Sequence, residues 1–167
     1  MRKILTVSVI TLFSLVSCIK KDTKCGYSGS TIVAPAAEIQ TLQDSLTYYG
    51  ITATQHPSGF FYTINSQGTG KEIANLCTSL SIRYKGGFLN GNVFDSTAAG
   101  TTANLQLSDV IPGWQKGVPL ISQGGDITLY IPPSLAYGST DVKDQYDSVV
   151  IPGNSYLVFT VHLVAVE

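Results

Sequence analysis

Charge is scarce in this chain. Only 13% of its 167 residues are Asp, Glu, Lys or Arg, with ten cations against eleven anions and a net charge of −1. That is about half the usual share of roughly a quarter. No basic run is interleaved with aromatics, which excludes a nucleic-acid reader, since such a protein needs a basic face to neutralise phosphates. Two histidines and three scattered cysteines exclude a Cys/His zinc site at any standard spacing. The apolar stretch at 4–16 is 13 residues long, short of the roughly 20 that a membrane-spanning helix requires. Apolar residues, in contrast, make up 44% of the chain. A chain so poor in charge and so rich in apolar side chains can offset its conformational entropy by burial, which excludes most disorder and fits one domain with length to spare.

Part of that hydrophobicity stands at the front. Arg2 and Lys3 precede the apolar stretch, and Ser17 and Cys18 follow it, the pattern of a cleaved secretory signal over residues 1–17. Leu15-Val16-Ser17-Cys18 resembles the bacterial lipobox, which implies lipidation of Cys18 and attachment of the mature chain to a lipid membrane in the bacterial cell envelope, on a periplasmic or outer-membrane face. Several acyl chains exceed the two signals that stable anchoring needs. Loss of 1–17 removes two cations and no acids, so the net charge moves from −1 to −3. Residues 18–35 are Ser/Gly/Lys-rich and aperiodic and read as a flexible tether. Cys25 and Cys77 remain, and an oxidising compartment permits a disulfide between them; two unrelated thiols are the alternative.

After Pro35, Ile39, Leu42, Leu46 and Tyr49 recur at the spacing of one helical face, and Gly50 suits the left-handed position beyond a helix end. The spacing predicts an amphipathic helix over 36–49, packed on the chain's own sheet or, alternatively, on a second copy as a homodimer. Strand signals follow. Segments 51–55 and 60–65 flank Pro57-Ser58-Gly59 as a hairpin, and Leu80, Ile82 and Tyr84 alternate with polar residues. Ile127, Leu129 and Ile131 alternate before Pro132-Pro133, and Leu157, Phe159, Val161 and Leu163 alternate inward over 156–166, which leaves His162 outward. Trp114, Val118 and Ile121 share the face of one short helix. The expected fold is α+β: an antiparallel sheet curled around one short helix, with the N-terminal helix added.

These segments bear several-residue landmarks. They are Ile82-Arg83-Tyr84-Lys85-Gly86, Gly91-Asn92-Val93-Phe94-Asp95-Ser96, Val110-Ile111-Pro112-Gly113-Trp114, Leu129-Tyr130-Ile131-Pro132-Pro133 with Leu135-Ala136-Tyr137-Gly138, and Val150-Ile151-Pro152 with Leu157-Val158-Phe159. In that order they resemble the FKBP-type peptidyl-prolyl cis/trans isomerases over residues 58–167, leaving 36–57 as an N-terminal helix and first strand. The resemblance implies a proline-binding pocket with Trp114 as its floor and Tyr84, Phe94, Val110, Ile111 and Phe159 as walls. It places Val150 and Ile151 among the substrate-binding residues. It implies that the Ile111 N–H and the Tyr137 hydroxyl donate to substrate carbonyls, and that Asp95, held by Tyr84, lies beside the twisting amide as an orienting charge. Neither metal nor cofactor is implied, because no covalent bond of the substrate changes.

The implied partners are proline-containing segments of exported proteins, and the implied role is to assist their folding. The alternative is a proline-peptide binding module or chaperone with little turnover. Two departures from the family pattern favour that alternative: Ala103 stands where an aromatic wall residue is frequent, and the segment between Gly138 and Val150 is several residues longer and carries Asp141, Asp144 and Asp147. Those acids are expected to be a solvated surface rather than a calcium site, which needs alternate-position ligands and a glycine.

Overall fold

The computed structural model describes residues 25–167. The expected signal over 1–17, Cys18 and the first part of the expected tether lie outside the described residues.

The N-terminal helix, α1 (Ala36–Tyr48), ends as its sequence dictates. Gly50 takes φ 65°, the Ile51 N–H reaches the Leu46 carbonyl at 2.8 Å and the Gly50 N–H reaches Thr47 at 3.0 Å. This is the paired hydrogen-bond pattern of a glycine-terminated helix. Leu42 and Leu46 are buried against Phe61 and Tyr130 on the outer face of the sheet. The apolar stripe is therefore covered by the chain itself. Tyr49 departs from the expected stripe: as the residue after the last helical turn it leaves the helical face and stays exposed.

The sheet strands are β1 (Thr54–Gln55), β2 (Phe61–Ser66), β3 (Ser79–Phe88), β4 (Val93–Ser96), β5 (Ala103–Gln106), β6 (Asp126–Ile131) and, last in the chain, β9 (Leu157–Val166). Every pairing is antiparallel, in the order β1-β2-β6-β9-β3-β4, with β5 beside β4 on the same edge of β3. A separate two-stranded ribbon, β7 (Val142–Lys143) and β8 (Val149–Ile151), rises between β6 and β9. The expected first strand, 51–55, shortens to its last two residues because the helix-terminating turn consumes Ile51.

One helix crosses the inner face: α2 (Pro112–Gly117). The expected single helix through Ile121 stops there and continues as a 3-10 turn over Val118–Leu120, since Pro119 has no N–H to continue an α-helical ladder. A Cβ on Gly113 would lie 2.7 Å from the Ile131 side chain, and one on Gly117 would lie 2.6 Å from that of Leu129. Two glycines four residues apart thus form a bare face that lets α2 lie directly on β6. Around it Leu80, Ile82, Leu107, Val118, Ile127, Leu129, Val161 and Leu163 close the main core.

The tether is fixed at two points. Cys25 forms a disulfide with Cys77 across 52 residues of sequence, and Ala34 is buried in the main core with its N–H on the Ser58 carbonyl at 2.9 Å. The three acids of the long segment each have a structural partner. The Asp144 carboxylate accepts the N–H groups of Tyr146 and Ser148 at 2.8 and 3.0 Å, Asp141 accepts that of Gly153 at 2.7 Å, and Asp147 pairs with Lys143 at 2.8 Å. Among the described residues no acid, Cys or His cluster is arranged to hold a metal ion, and no helix is long and apolar enough to cross a membrane.

Candidate active site

Between α2 and the inner face of the sheet opens a cavity of about 260 Å³. Its floor is Trp114, 5% exposed, which α2 presents two residues after the proline that starts the helix. The indole ring meets Phe159 edge-on at 5.2 Å between centroids and Tyr84 edge-on at 5.5 Å. Phe159 meets Phe94 at 5.7 Å, and Phe94 meets Phe88 at 5.3 Å, again edge-on. Edge-to-face contact is the favoured geometry of aromatic pairs, because the positive edge of one ring meets the negative face of the next. The array is a rigid apolar wall.

Gly86 is what lets the array close. It lies opposite both Asp95 on β4 and Phe159 on β9. A Cβ there would come within 2.7 Å of Phe159 and 2.8 Å of Phe94. The other wall is the 108–111 segment. Its shape is held by Gln115 of α2, whose side-chain amide donates to the carbonyls of Ser108 at 3.1 Å and Val110 at 2.9 Å. Val110 and Ile111 thereby face the cavity. The Ile111 N–H, just ahead of the helix, donates to no backbone carbonyl among the described residues.

Polar groups are few and gathered on one side. Tyr84 donates its hydroxyl to Asp95 Oδ2. Burial, the hydrogen bond to Asp95 and the Asp95 charge, in that order, push the Tyr84 hydroxyl up to about 12. Tyr137, 42% exposed at the mouth, is also raised, by burial and then by the Asp95 charge. Both phenols are therefore protonated donors at neutral pH. The Trp114 indole N–H is buried without a hydrogen-bond partner.

Of the residues singled out in the sequence, Tyr84, Phe94, Asp95, Val110, Ile111, Trp114, Tyr137 and Phe159 all line this one cavity. Val150 and Ile151 do not. In the β7–β8 ribbon Ile151 stands opposite Val142, and strand alternation turns it into the main core while Val150 faces solvent. Ala103 lines the wall, at the position where the family pattern frequently has an aromatic. Leu105 and Asp109 also line it and were not anticipated. The signal for Leu105 was available, two residues along the same face of β5 as Ala103. Asp109 had only its position beside Val110.

A curled antiparallel sheet closed over a short helix, with an aromatic-walled cavity between them, defines an α+β domain. Comparison with known proteins makes the class specific: residues 70–164 match the family described as FKBP-type peptidyl-prolyl cis-trans isomerase. The chain belongs to that family. It is 40% identical over 119 residues to the FKBP-type peptidyl-prolyl cis-trans isomerase FkpA of Buchnera aphidicola subsp. Schizaphis graminum, covering 71% of this chain and 44% of that protein. It is 38% identical over 112 residues to the outer membrane protein MIP of Legionella longbeachae, covering 66% of this chain and 46% of that one. The crystal structure of FkpA from Escherichia coli superposes with a TM-score of 0.65 at 30% identity, over 79% of this chain and 60% of that chain. The chain thus spans less than half the length of these two curated relatives.

Proposed function

We propose that the protein is a peptidyl-prolyl cis/trans isomerase acting on proline-containing segments of exported proteins. The observation that carries this reading is the convergence of eight anticipated residues on one aromatic-walled cavity whose polar side-chain groups are two carboxylates, two phenols and the Trp114 indole N–H. An X–Pro bond isomerises over a barrier of about 18–20 kcal/mol because twisting it breaks amide resonance. The planar amide is the more polar form, so removing water destabilises it more than the twisted form. The proline ring sits on Trp114 against Phe94 and Phe159. The Ile111 N–H and the Tyr137 hydroxyl hold the flanking carbonyls, which fixes one side of the bond while the other rotates. Asp95, oriented by Tyr84, supplies a negative charge beside the twisting carbonyl carbon and nitrogen. It acts by field and position, with no proton transferred.

The test is the exchange rate of an Ala-Phe-Pro peptide, measured by NMR with the mature protein. Acceleration that is lost in folded Asp95→Val and Phe94→Tyr variants supports the reading, and equal rates in all three proteins would sink it. Ala103 at the cavity wall favours a second reading, a binding module with slow turnover; peptide binding without acceleration at high protein concentration would select it.

An envelope location follows from the same reading. It is supported by the Leu15-Val16-Ser17-Cys18 motif, the Cys25–Cys77 disulfide, which suits an oxidising compartment, and the likeness to a protein named as an outer membrane protein. In this organisation residues 1–17 are removed, Cys18 is acylated and anchors the chain to a lipid membrane, and 58–167 carry the isomerase fold. Intact-mass spectrometry of the purified protein reads the acyl chains directly; an unmodified Cys18 in a membrane fraction would overturn the anchor.

A further inference from the structure

The helix α1 lies outside the matched segment 70–164, yet it grips the turn that delivers Tyr137 to the cavity. Glu38, in the first turn of α1, accepts the Ser134 N–H on its Oε2 at 3.0 Å, across 96 residues of sequence. Ser134 is the second residue of the 3-10 turn Pro133–Leu135, which follows β6 after the single residue Pro132. Within that turn the Leu135 N–H goes to Pro132, and the N–H groups of Ala136 and Gly138 both go to Pro133. Pro133 has no N–H. The Ser134 N–H is therefore the first donor of the turn, and Glu38 satisfies it from another element. The Ser134 hydroxyl, buried and without a partner, makes no polar contact that could replace the one from Glu38.

We propose that Glu38 is a positioning residue that sets the Tyr137 hydroxyl over the cavity through the Ser134 amide, so that the catalytic unit includes α1. Three features make the grip stiff. Leu42 and Leu46 seat α1 on Tyr130 of β6, three residues before the turn begins. Ile39, next to Glu38, packs on both hydrophobic clusters, and Ala34 anchors the approach to the helix in the main core. At the far end Leu135 is fully buried, and the Gly138 carbonyl accepts the Asn154 N–H at 2.7 Å. Between these fixed points the Tyr137 side chain lines the cavity and makes no hydrogen bond among the described residues, so its hydroxyl position depends on where the turn holds its backbone. This role rests on the isomerase reading above.

The experiment is a double-mutant cycle in the full mature chain: Glu38→Ala, Tyr137→Phe and the pair, with Glu38→Gln as the conservative control. Glu38→Ala is expected to lower kcat/KM for a proline peptide by about 3- to 10-fold, the size of one hydrogen bond's net contribution. Glu38→Gln, which keeps an acceptor oxygen, restores most of it. In the Tyr137→Phe background the Glu38→Ala loss shrinks to less than twofold, because coupled residues are non-additive. A full loss persisting without the tyrosine hydroxyl, or no loss in folded Glu38→Ala, overturns the proposal. Should Glu38→Ala fail to fold, Glu38→Asp, one methylene too short, enters the same cycle. If the unmodified protein does not accelerate exchange, the isomerase reading fails instead. The cycle is then run on peptide Kd and on the Tyr137 ring NMR shifts: shifts that move in Glu38→Ala and return in Glu38→Gln support the positioning role, and unmoved shifts refute it.

Discussion

Tyr84 and Asp95 are joined by a hydroxyl-to-carboxylate hydrogen bond across the edge of the sheet, between strands whose register sets Gly86 opposite Asp95. The bond ties a cavity wall to Asp95, one of the two carboxylates that line the cavity. It also couples the site to pH. The folded-state Tyr84 hydroxyl titrates at about 12, above its ordinary 10.0. A raised pKa means the folded state favours the protonated phenol, so the associated stability is complete below about pH 10 and is lost as pH rises towards 12. Ultraviolet titration of phenolate is expected to show a group of late-titrating tyrosines, of which the last, near 12, moves towards 10 in Asp95→Asn. No movement would break the proposed link between the two groups.

Gly86→Ala is expected to damage the cavity without touching any polar group. The new methyl would stand 2.7 Å from Phe159 and 2.8 Å from Phe94, so both rings must retreat. A cost of about 1–3 kcal/mol is typical of such overpacking. Thermal unfolding measures that cost, and peptide titration should show weaker binding. A variant with unchanged affinity would mean that the ring array does not shape the ligand site.

Trp114 is the single tryptophan of the chain, so intrinsic fluorescence reports on the cavity floor alone. A proline peptide that covers the exposed face of the indole should shift its emission to the blue in a saturable titration. Phe159→Ala, which removes the neighbouring edge at 5.2 Å, should weaken that titration. Trp114→Ala should destabilise the fold by about 3–5 kcal/mol, as expected for a buried aromatic side chain. A peptide that binds with no change in Trp114 emission would be bound elsewhere.

Reduction of the Cys25–Cys77 disulfide, or a Cys77→Ser change, releases a loop that spans 52 residues of sequence. Chain entropy puts the stabilisation lost at about 4 kcal/mol. Differential scanning calorimetry with and without a thiol reductant checks it. Equal transition temperatures would indicate that the fixed arm from Cys25 to Ala34 contributes nothing to the folded domain.

Local rules made much of the molecule legible. Alternation placed Ile82, Ile127, Leu129, Val161 and Leu163 on one sheet face, and all are buried there. Spacing found α1, and Gly50 marked its end, because a left-handed residue after a helix is a one-residue requirement. Eight candidate residues were found because they sit within short landmarks. Placement was less legible where neighbours in space are not neighbours in sequence. Val150 and Ile151 follow the landmark order, but the register of β7 with β8 turns one to solvent and the other to the core. Leu105 and Asp109 belong to the cavity only because β5 and the turn after it fold over α2. Tyr49 fits the helical spacing but lies past the last turn.

The scarcities in the composition determined a good deal by themselves. Few charges, two histidines and no metal-ligand spacing pointed away from nucleic-acid and zinc chemistry, and alternation with turn residues determined an antiparallel sheet with short helices. These are composition and nearest-neighbour effects, which act along the chain. Tertiary structure alone decided the pairing of Cys25 with Cys77, the hold of Glu38 on Ser134, and the closure of Trp114, Phe159 and Phe94 over Gly86. Each joins elements far apart in sequence, and such contacts form only after packing has repaid the entropy of closing the loop between them.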